Sequence, residues 1–307
     1  MKNLVRMNLQ TFANNIELFK QYIPLLDKVY KQASLTAKLD GNPDLVQQGA
    51  NANELVIPKI SMDGLANYSR NSGYVSGDVT MTNETVSCNF DRGRMFTVDA
   101  LDNIETAQIA FGQLSAEFIR TKVVPELDAF RFSKYATVDG ISTVAAATLD
   151  TGAKVVEALR KATQKMDDDE VPMEDRHLFI TATLNGLVED MDTTKSRKVM
   201  ERFASVTIVP QSRFYTAITQ NDGTTTGQTA GGYTKASGAN DINFMVLHKA
   251  ALIQFDKRVV NKVITPEENQ TSDGWKFGYR DVSIADAYEN KAAGIYLHKA
   301  PAATSGN

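Results

Sequence analysis

With 307 residues and a formal net charge of −4, the chain can hold two domains, or one irregular body with long extensions, and no global charge marks it as a dedicated nucleic-acid binder. A single cysteine, Cys88, excludes an intrachain disulfide and a cysteine-based metal cluster, and fits a reducing compartment. No apolar run approaches the ~18 residues of a membrane span, and Lys2 and Arg6 are not followed by the apolar core or cleavage site of a signal peptide.

Residues 11–38 read as an amphipathic arm. Phe12, Ile16, Phe19, Ile23, Leu26, Tyr30, Ala33 and Ala37 keep helical spacing, and Pro24 divides the run in two. Residues 1–40 carry six Lys or Arg against three acids, which a solvated helix face accounts for better than specific DNA contact. Asp40-Gly41-Asn42-Pro43 turns the chain. From Glu54 to Val98 the character changes to strand and turn. Leu55 to Ile60 is a short apolar strand, Gly73 and Gly77 mark a mobile tip, and the return leg alternates Val86, Cys88 and Phe90 against Ser87, Asn89 and Asp91. A two-stranded ribbon is marginal alone in water, so this hairpin is expected to lie on its own body or on a neighbour. Arg92, Arg94 and Asp99 follow it.

Asp102 to Tyr135 is the longest helical signal. Asp102 or Asn103 caps it, Glu105 meets the exposed N–H groups of the first turn, and Ile104, Ala107, Phe111, Leu114 and Phe118 form an apolar stripe. The stripe drifts onto Ile119, Val123, Leu127 and Phe130. Such a helix spans roughly 50 Å, longer than a small domain is wide, so it reads as a spine. Pro125 interrupts it and is expected to kink it.

Beyond the spine, Thr137 to Asp150 reads as linker and Thr151 to Met166 as a helix. The acids Asp167 to Glu170 lack the alternation and glycine of a calcium loop and read as a solvated turn. His177 to Ala182 and Val206 to Val209 are strand-like, with helix signals from Leu184 to Met191 between them, so a compact α+β domain is expected. Residues Gln220 to Asn240 form a Gly/Thr-rich loop of the kind that is either functional or disordered. Strands return at Phe244 to Leu247, Ala251 to Phe255, Arg258 to Ile264 and Gly294 to Leu297. Trp275, Phe277 and Tyr279 alternate at period two and read as ordinary core.

The chain contains no phosphate-binding glycine loop, no HExxH and no GxSxG. His177, His248 and His298 lie far apart, each in or beside an apolar strand, as structural histidines do. Cys88 alternates into an apolar face and reads as a buried, inert thiol. Neither a catalytic constellation nor a cofactor or metal site is expected.

Four stretches carry a family resemblance: Tyr22 to Asp40, Gly64 to Asp102, Val124 to Ala136 and Val246 to His298. The most specific part is Asp91-Arg92-Gly93-Arg94-Met95-Phe96 followed by Val98-Asp99, directly before the spine. With these the chain resembles the major capsid proteins of tailed phages, in particular those of Gram-positive hosts. It departs from them at Val282 to Ala285, where an aromatic and a His-Asp pair are expected. The resemblance implies an α+β fold shared with encapsulins and the herpesvirus capsid floor. Residues 1–50 would be an N-terminal arm, 51–99 an extended hairpin loop, 100–136 with 246–307 a peripheral domain containing the spine, and 137–245 an axial domain.

The function implied is a non-enzymatic shell protein. Its partners would be copies of itself in pentamers and hexamers, a portal, a scaffolding protein, a decoration protein, and packaged double-stranded DNA held by non-specific contact. Because no coiled-coil segment precedes Met1-Lys2, scaffolding is expected from a separate protein. A nanocompartment enclosing an enzyme cargo is the alternative, and an unrecognised α+β enzyme a more distant one. Arg70, Arg92, Arg94, Asp99 and Asp102 are the expected intersubunit or hinge contacts, the two latter arginines pairing with the two aspartates. From Ser61 to Thr97 there is no lysine, and Lys59 is placed at the hairpin's base, so the Lys–Asn crosslinks that some of the family make are not expected.

Overall fold

The computed structural model of the chain describes residues 34–41, 47–48, 54–99, 115–191 and 193–301. The expected arm up to residue 33, Asp102 and the spine's first turns up to residue 114 lie outside these. A short strand β1 (Gln47–Gln48) pairs with β2 (Glu54–Met62), which turns back as β3 (Val79–Ser87) in an antiparallel hairpin. The chain then leaves this sheet. β4 (Phe90–Asp99) is an edge strand of a separate antiparallel sheet, in the order β11-β12-β4 with β11 (Leu252–Ile264) and β12 (Gly274–Ala287). The hairpin therefore ends at Ser87, and the return leg read as continuous to Val98 serves two sheets. Asn89 makes the switch: its amide donates to the Ala285 carbonyl at 2.7 Å and accepts from the Ala285 N–H at 3.1 Å.

The described part of the spine is helical from residue 115 to 136, but not uniformly. Ile119–Val123 form a π-turn, in which the Val124 N–H reaches the Ile119 carbonyl, before α1 (Val124–Ala136) resumes. Pro125 supplies the reason. Lacking an N–H and colliding with the carbonyl four residues back, it cannot continue an α-helical ladder, and one widened turn absorbs the mismatch while φ and ψ stay helical on both sides.

A third sheet has the order β5-β13-β10-β6-β7. Its members are β5 (Ser142–Val144), β6 (Arg176–Thr181), β7 (Ser205–Val209), β10 (Ile242–His248) and β13 (Ile295–Lys299). The β13/β5 and β6/β7 pairs are parallel and the two central pairs antiparallel. β6 and β10 are apolar without alternation because both faces are covered, and successive side chains point to opposite sides. Leu178, Ile180, Phe244 and Val246 meet helix α2 (Gly152–Asp168) through Val155, Leu159 and Met166, with α3 (Ala182–Met191) and α4 (Thr194–Met200) alongside. Phe179, Met245 and Leu247 belong instead to the core around α1. The boundary drawn at 245/246 falls inside β10, and the stretch read as linker contributes β5. The segments read as Ala251 to Phe255 and Arg258 to Ile264 are one strand with an irregularity between Asp256 and Arg258.

Between its two sheets α1 is buried on nearly every side. From Val124 to Tyr135 only Pro125 and Lys134 escape full burial. Phe130 meets Phe90 at 5.0 Å and Phe132 meets Phe179 at 5.2 Å, while Phe118, just before the π-turn, meets Phe96 at 4.7 Å. Phe277 and Tyr279 of the period-two aromatic strand face this core, as ordinary core residues do. The acidic run is less solvated than expected: Asp167 pairs at 2.7 Å with Arg176, which is 2% exposed. Among the described residues, no helix is long and apolar enough to cross a membrane and no cluster of three metal-ligating side chains occurs.

Candidate assembly site

The distal hairpin carries apolar side chains that its own chain leaves bare. In the β2/β3 ladder Ile60 stands opposite Met81 and Met62 opposite Val79, and these four share one face. All are exposed, Ile60 by 61% and Val79 by 72%. The connecting loop is closed at its neck, where the Asp78 N–H donates to the Asp63 carboxylate at 2.9 Å and the Asp63 N–H to the Asp78 carbonyl at 3.1 Å. At its end Ser69 and Gly73 exchange backbone hydrogen bonds, Gly73 takes φ +76°, and the Ser69 hydroxyl accepts the N–H groups of Asn71 and Ser72. Arg70 lies exposed on that turn. Tyr68 and Tyr74 meet edge to face at 4.9 Å, and Leu65, Tyr74 and Val75 are open to solvent.

Two polar anchors fix what flanks this hairpin. At its base Arg92 of β4 donates through Nε to Glu126 of α1 at 2.8 Å and through Nη2 to the Gly232 carbonyl at 3.3 Å. Arg94 donates to the Thr229 carbonyl at 3.1 Å. The sequence reading gave these arginines Asp99 and Asp102 as partners. Asp99 ends β4 opposite Gly274, seven positions along from Arg92, and Asp102 is outside the described residues. The carboxylate that Arg92 meets is Glu126, and burial raises the pKa of that group against the lowering effect of Arg92. Gly93 between the arginines leaves no room for a side chain, since a Cβ would lie 2.7 Å from the Tyr279 carbonyl. The Gly/Thr-rich loop thus has a defined place: between β8 (Ile218–Gln220) and β9 (Tyr233–Lys235) it folds over β4 and offers its carbonyls to both arginines.

The second anchor holds residues 34–41. Asp128 of α1, fully buried, accepts from the Ser34 hydroxyl at 2.9 Å, the Leu35 and Thr36 N–H groups at 3.1 and 3.3 Å, and the Thr36 hydroxyl at 2.8 Å. Arg213 closes its remaining side at 3.3 Å. Arg131, 1% exposed, donates to Thr36 and to Asp256 at 3.0 and 2.6 Å. Gln254 donates to the Thr36 carbonyl and to Asp40, and accepts from the Tyr135 hydroxyl at 2.6 Å. Burial pushes that tyrosine's pKa up. Sequence reasoning missed Asp128, Arg131 and Gln254. A signal was there: Glu126, Asp128 and Arg131 interrupt an otherwise apolar helix, and a charge on a helix buried all round must be paired.

Burial lowers the pKa of His177, His248 and His298, which keeps the rings neutral at pH 7. His177 shares a hydrogen bond with Ser205, and His298 stacks on Phe244 at 5.0 Å. Cys88 is half-buried rather than buried, and burial raises its thiol pKa, away from a reactive thiolate.

No protein-family model matches the chain, and no curated protein matches it by sequence. Solved structures do match it by fold. A chain from Mycobacterium phage Che8 superposes with TM-score 0.56 at 12% identity, covering 86% of this chain and 90% of its own. The virus-like particle from Pyrococcus furiosus gives 0.59 at 10% identity, covering 92% and 99%. The mature capsid of bacteriophage PhiM1 gives 0.51 at 13% identity, covering 82% and 83%. The chain therefore has the α+β fold of tailed-phage capsid proteins, shared with an archaeal virus-like particle, over most of its length.

Proposed function

We propose that the chain is the major capsid protein of a tailed bacteriophage, assembling in the host cytoplasm as pentamers and hexamers of an icosahedral shell around double-stranded DNA. The observation that carries this reading is the closed, apolar hairpin, set on a fold whose structural neighbours are shells. The same surface on every copy, and a complementary surface elsewhere on the next, is what a closed symmetric shell requires. The roles are structural and no catalytic step is assigned. A portal, a separate scaffolding protein and a decoration protein complete the proposed partners, and residues 51–87 act as the extended loop.

The similarity to the Pyrococcus furiosus particle, which covers nearly all of that chain, favours a second reading, a shell around a protein cargo. Expression of the chain alone, sedimentation and negative-stain imaging test both. Hollow particles of megadalton mass are expected, and a stable monomer or dimer at high concentration overturns both readings. Nuclease-protected DNA in particles from the native source supports the first reading, and a single co-purifying enzyme supports the second.

A further inference from the structure

Beneath α1, one carboxylate of the Arg92 anchor region has no partner. Asp281 of β12 is fully buried, and neither of its oxygens makes a hydrogen bond. In the ladder it stands directly opposite Arg92 of β4. Directly opposed residues of an antiparallel pair point to one face, with Cβ atoms about 4.5–5.5 Å apart, so the guanidinium is within reach of it. Arg92, Glu126 and Asp281 line one cavity of about 990 Å³, which β4, the spine and the 221–235 loop enclose.

We propose that Asp281 is a second seat for Arg92, and that transfer of the guanidinium from Glu126 and Gly232 to Asp281 releases the Gly/Thr-rich loop from the base of the hairpin. The occupant of the first seat depends on whether Asp281 carries a proton. A neutral Asp281 attracts no cation, and Arg92 stays on Glu126. An ionised, buried carboxylate without donors is costly, and the nearest guanidinium that can turn to it relieves that cost.

The charged surroundings support this order of events. From β11 comes Asp256, from the arm segment Asp40 and from β4 Asp91, all negative, against Arg131 of α1, which already serves Asp256 and Thr36. Arg94, Lys122 and Lys235 also line the cavity, with Glu117 and Asp222. Burial first, and these acids second, push the Asp281 pKa up to about 7. The transfer therefore falls in the neutral range: Arg92 on Glu126 below it, and on Asp281 above it. The exchange takes place within one subunit and does not rest on shell assembly.

Amide hydrogen exchange across residues 221–235 of the full-length chain, corrected for intrinsic rates, tests this at pH 5.5 and 8.5. The expected result is a roughly tenfold loss of protection at the higher pH, the size of effect that one charged hydrogen bond carries. Asp281→Asn should hold the pH 5.5 level at both values. Glu126→Gln, which removes the competing charge of the first seat, should move the loss of protection to lower pH than in the wild type. Equal protection at the two pH values in the wild type overturns the proposal, as does a pH-dependent loss that persists in Asp281→Asn. If that variant does not fold, a Glu126→Gln profile that coincides with the wild type overturns it equally.

Discussion

Asp128 shows how one side chain can decide where a whole segment lies. Its buried carboxylate collects four hydrogen bonds from Ser34, Leu35 and Thr36 and an ion pair from Arg213. Removing it leaves the buried Thr36 N–H, the half-buried Leu35 N–H and a cation without their acceptor. Asp128→Ala should therefore lower stability by on the order of 3 kcal/mol in urea unfolding. It should also speed tryptic cleavage after Lys38, which in the folded chain is tied to Ser205 and Thr207. An unchanged midpoint together with unchanged cleavage would show that the segment is held elsewhere. At this scale the sequence was read in part. Arg92 and Arg94 were singled out from residue type and neighbourhood. Their partners come from positions 34, 135 and 140 residues further along the chain, separations that local spacing cannot bridge.

At the scale of elements, the buried strands β6 and β10 were read as well as the amphipathic α2, and an element missed was the three-residue, largely exposed β5. The helix α2, read as Thr151 to Met166, runs from Gly152 to Asp168 with Thr151 as its cap, whose hydroxyl accepts the Lys154 N–H. The spine matched in its described half, and the interruption expected at Pro125 takes the form of a π-turn over Ile119–Val123. The hairpin was legible as an element without a core of its own. What alternation could not show was the point at which the chain changes sheets, since Cys88 and Asn89 continue the same in-and-out pattern while Asn89 redirects the hydrogen bonds. Replacing residues 64–77 by a short turn across the Asp63–Asp78 neck removes Leu65, Tyr68, Tyr74 and Val75. All four are exposed, so the subunit's stability should change by less than ~1 kcal/mol. Shell formation should be lost with them. Closed particles from this variant in electron micrographs would show that the loop is not an assembly contact.

For the whole molecule, the remaining question is whether such a shell is held by covalent bonds. A Lys–Asn crosslink needs an amine presented near the hairpin's end, freed of its proton, against a neighbour's asparagine with a carboxylate beside it. Between Ser61 and Thr97 the cations are Arg70, Arg92 and Arg94, and arginine stays protonated. The structure changes one part of this reasoning. Lys59 does not stand at the hairpin's base: it faces Thr82, three positions before the strands end at Met62 and Val79, or about 10 Å along the strand. It is the only lysine from Glu54 to Ser87. The sixteen-residue loop beyond it still separates it from Arg70, and proximity supplies most of the rate in such reactions. We therefore expect non-covalent particles. Boiled in denaturant with reductant, assembled particles should give one band at 33.7 kDa on a gel. A ladder of multiples would overturn this, and Lys59→Arg then identifies the source: loss of the ladder in that variant assigns the crosslink to Lys59, and its persistence places the reacting amine on another segment.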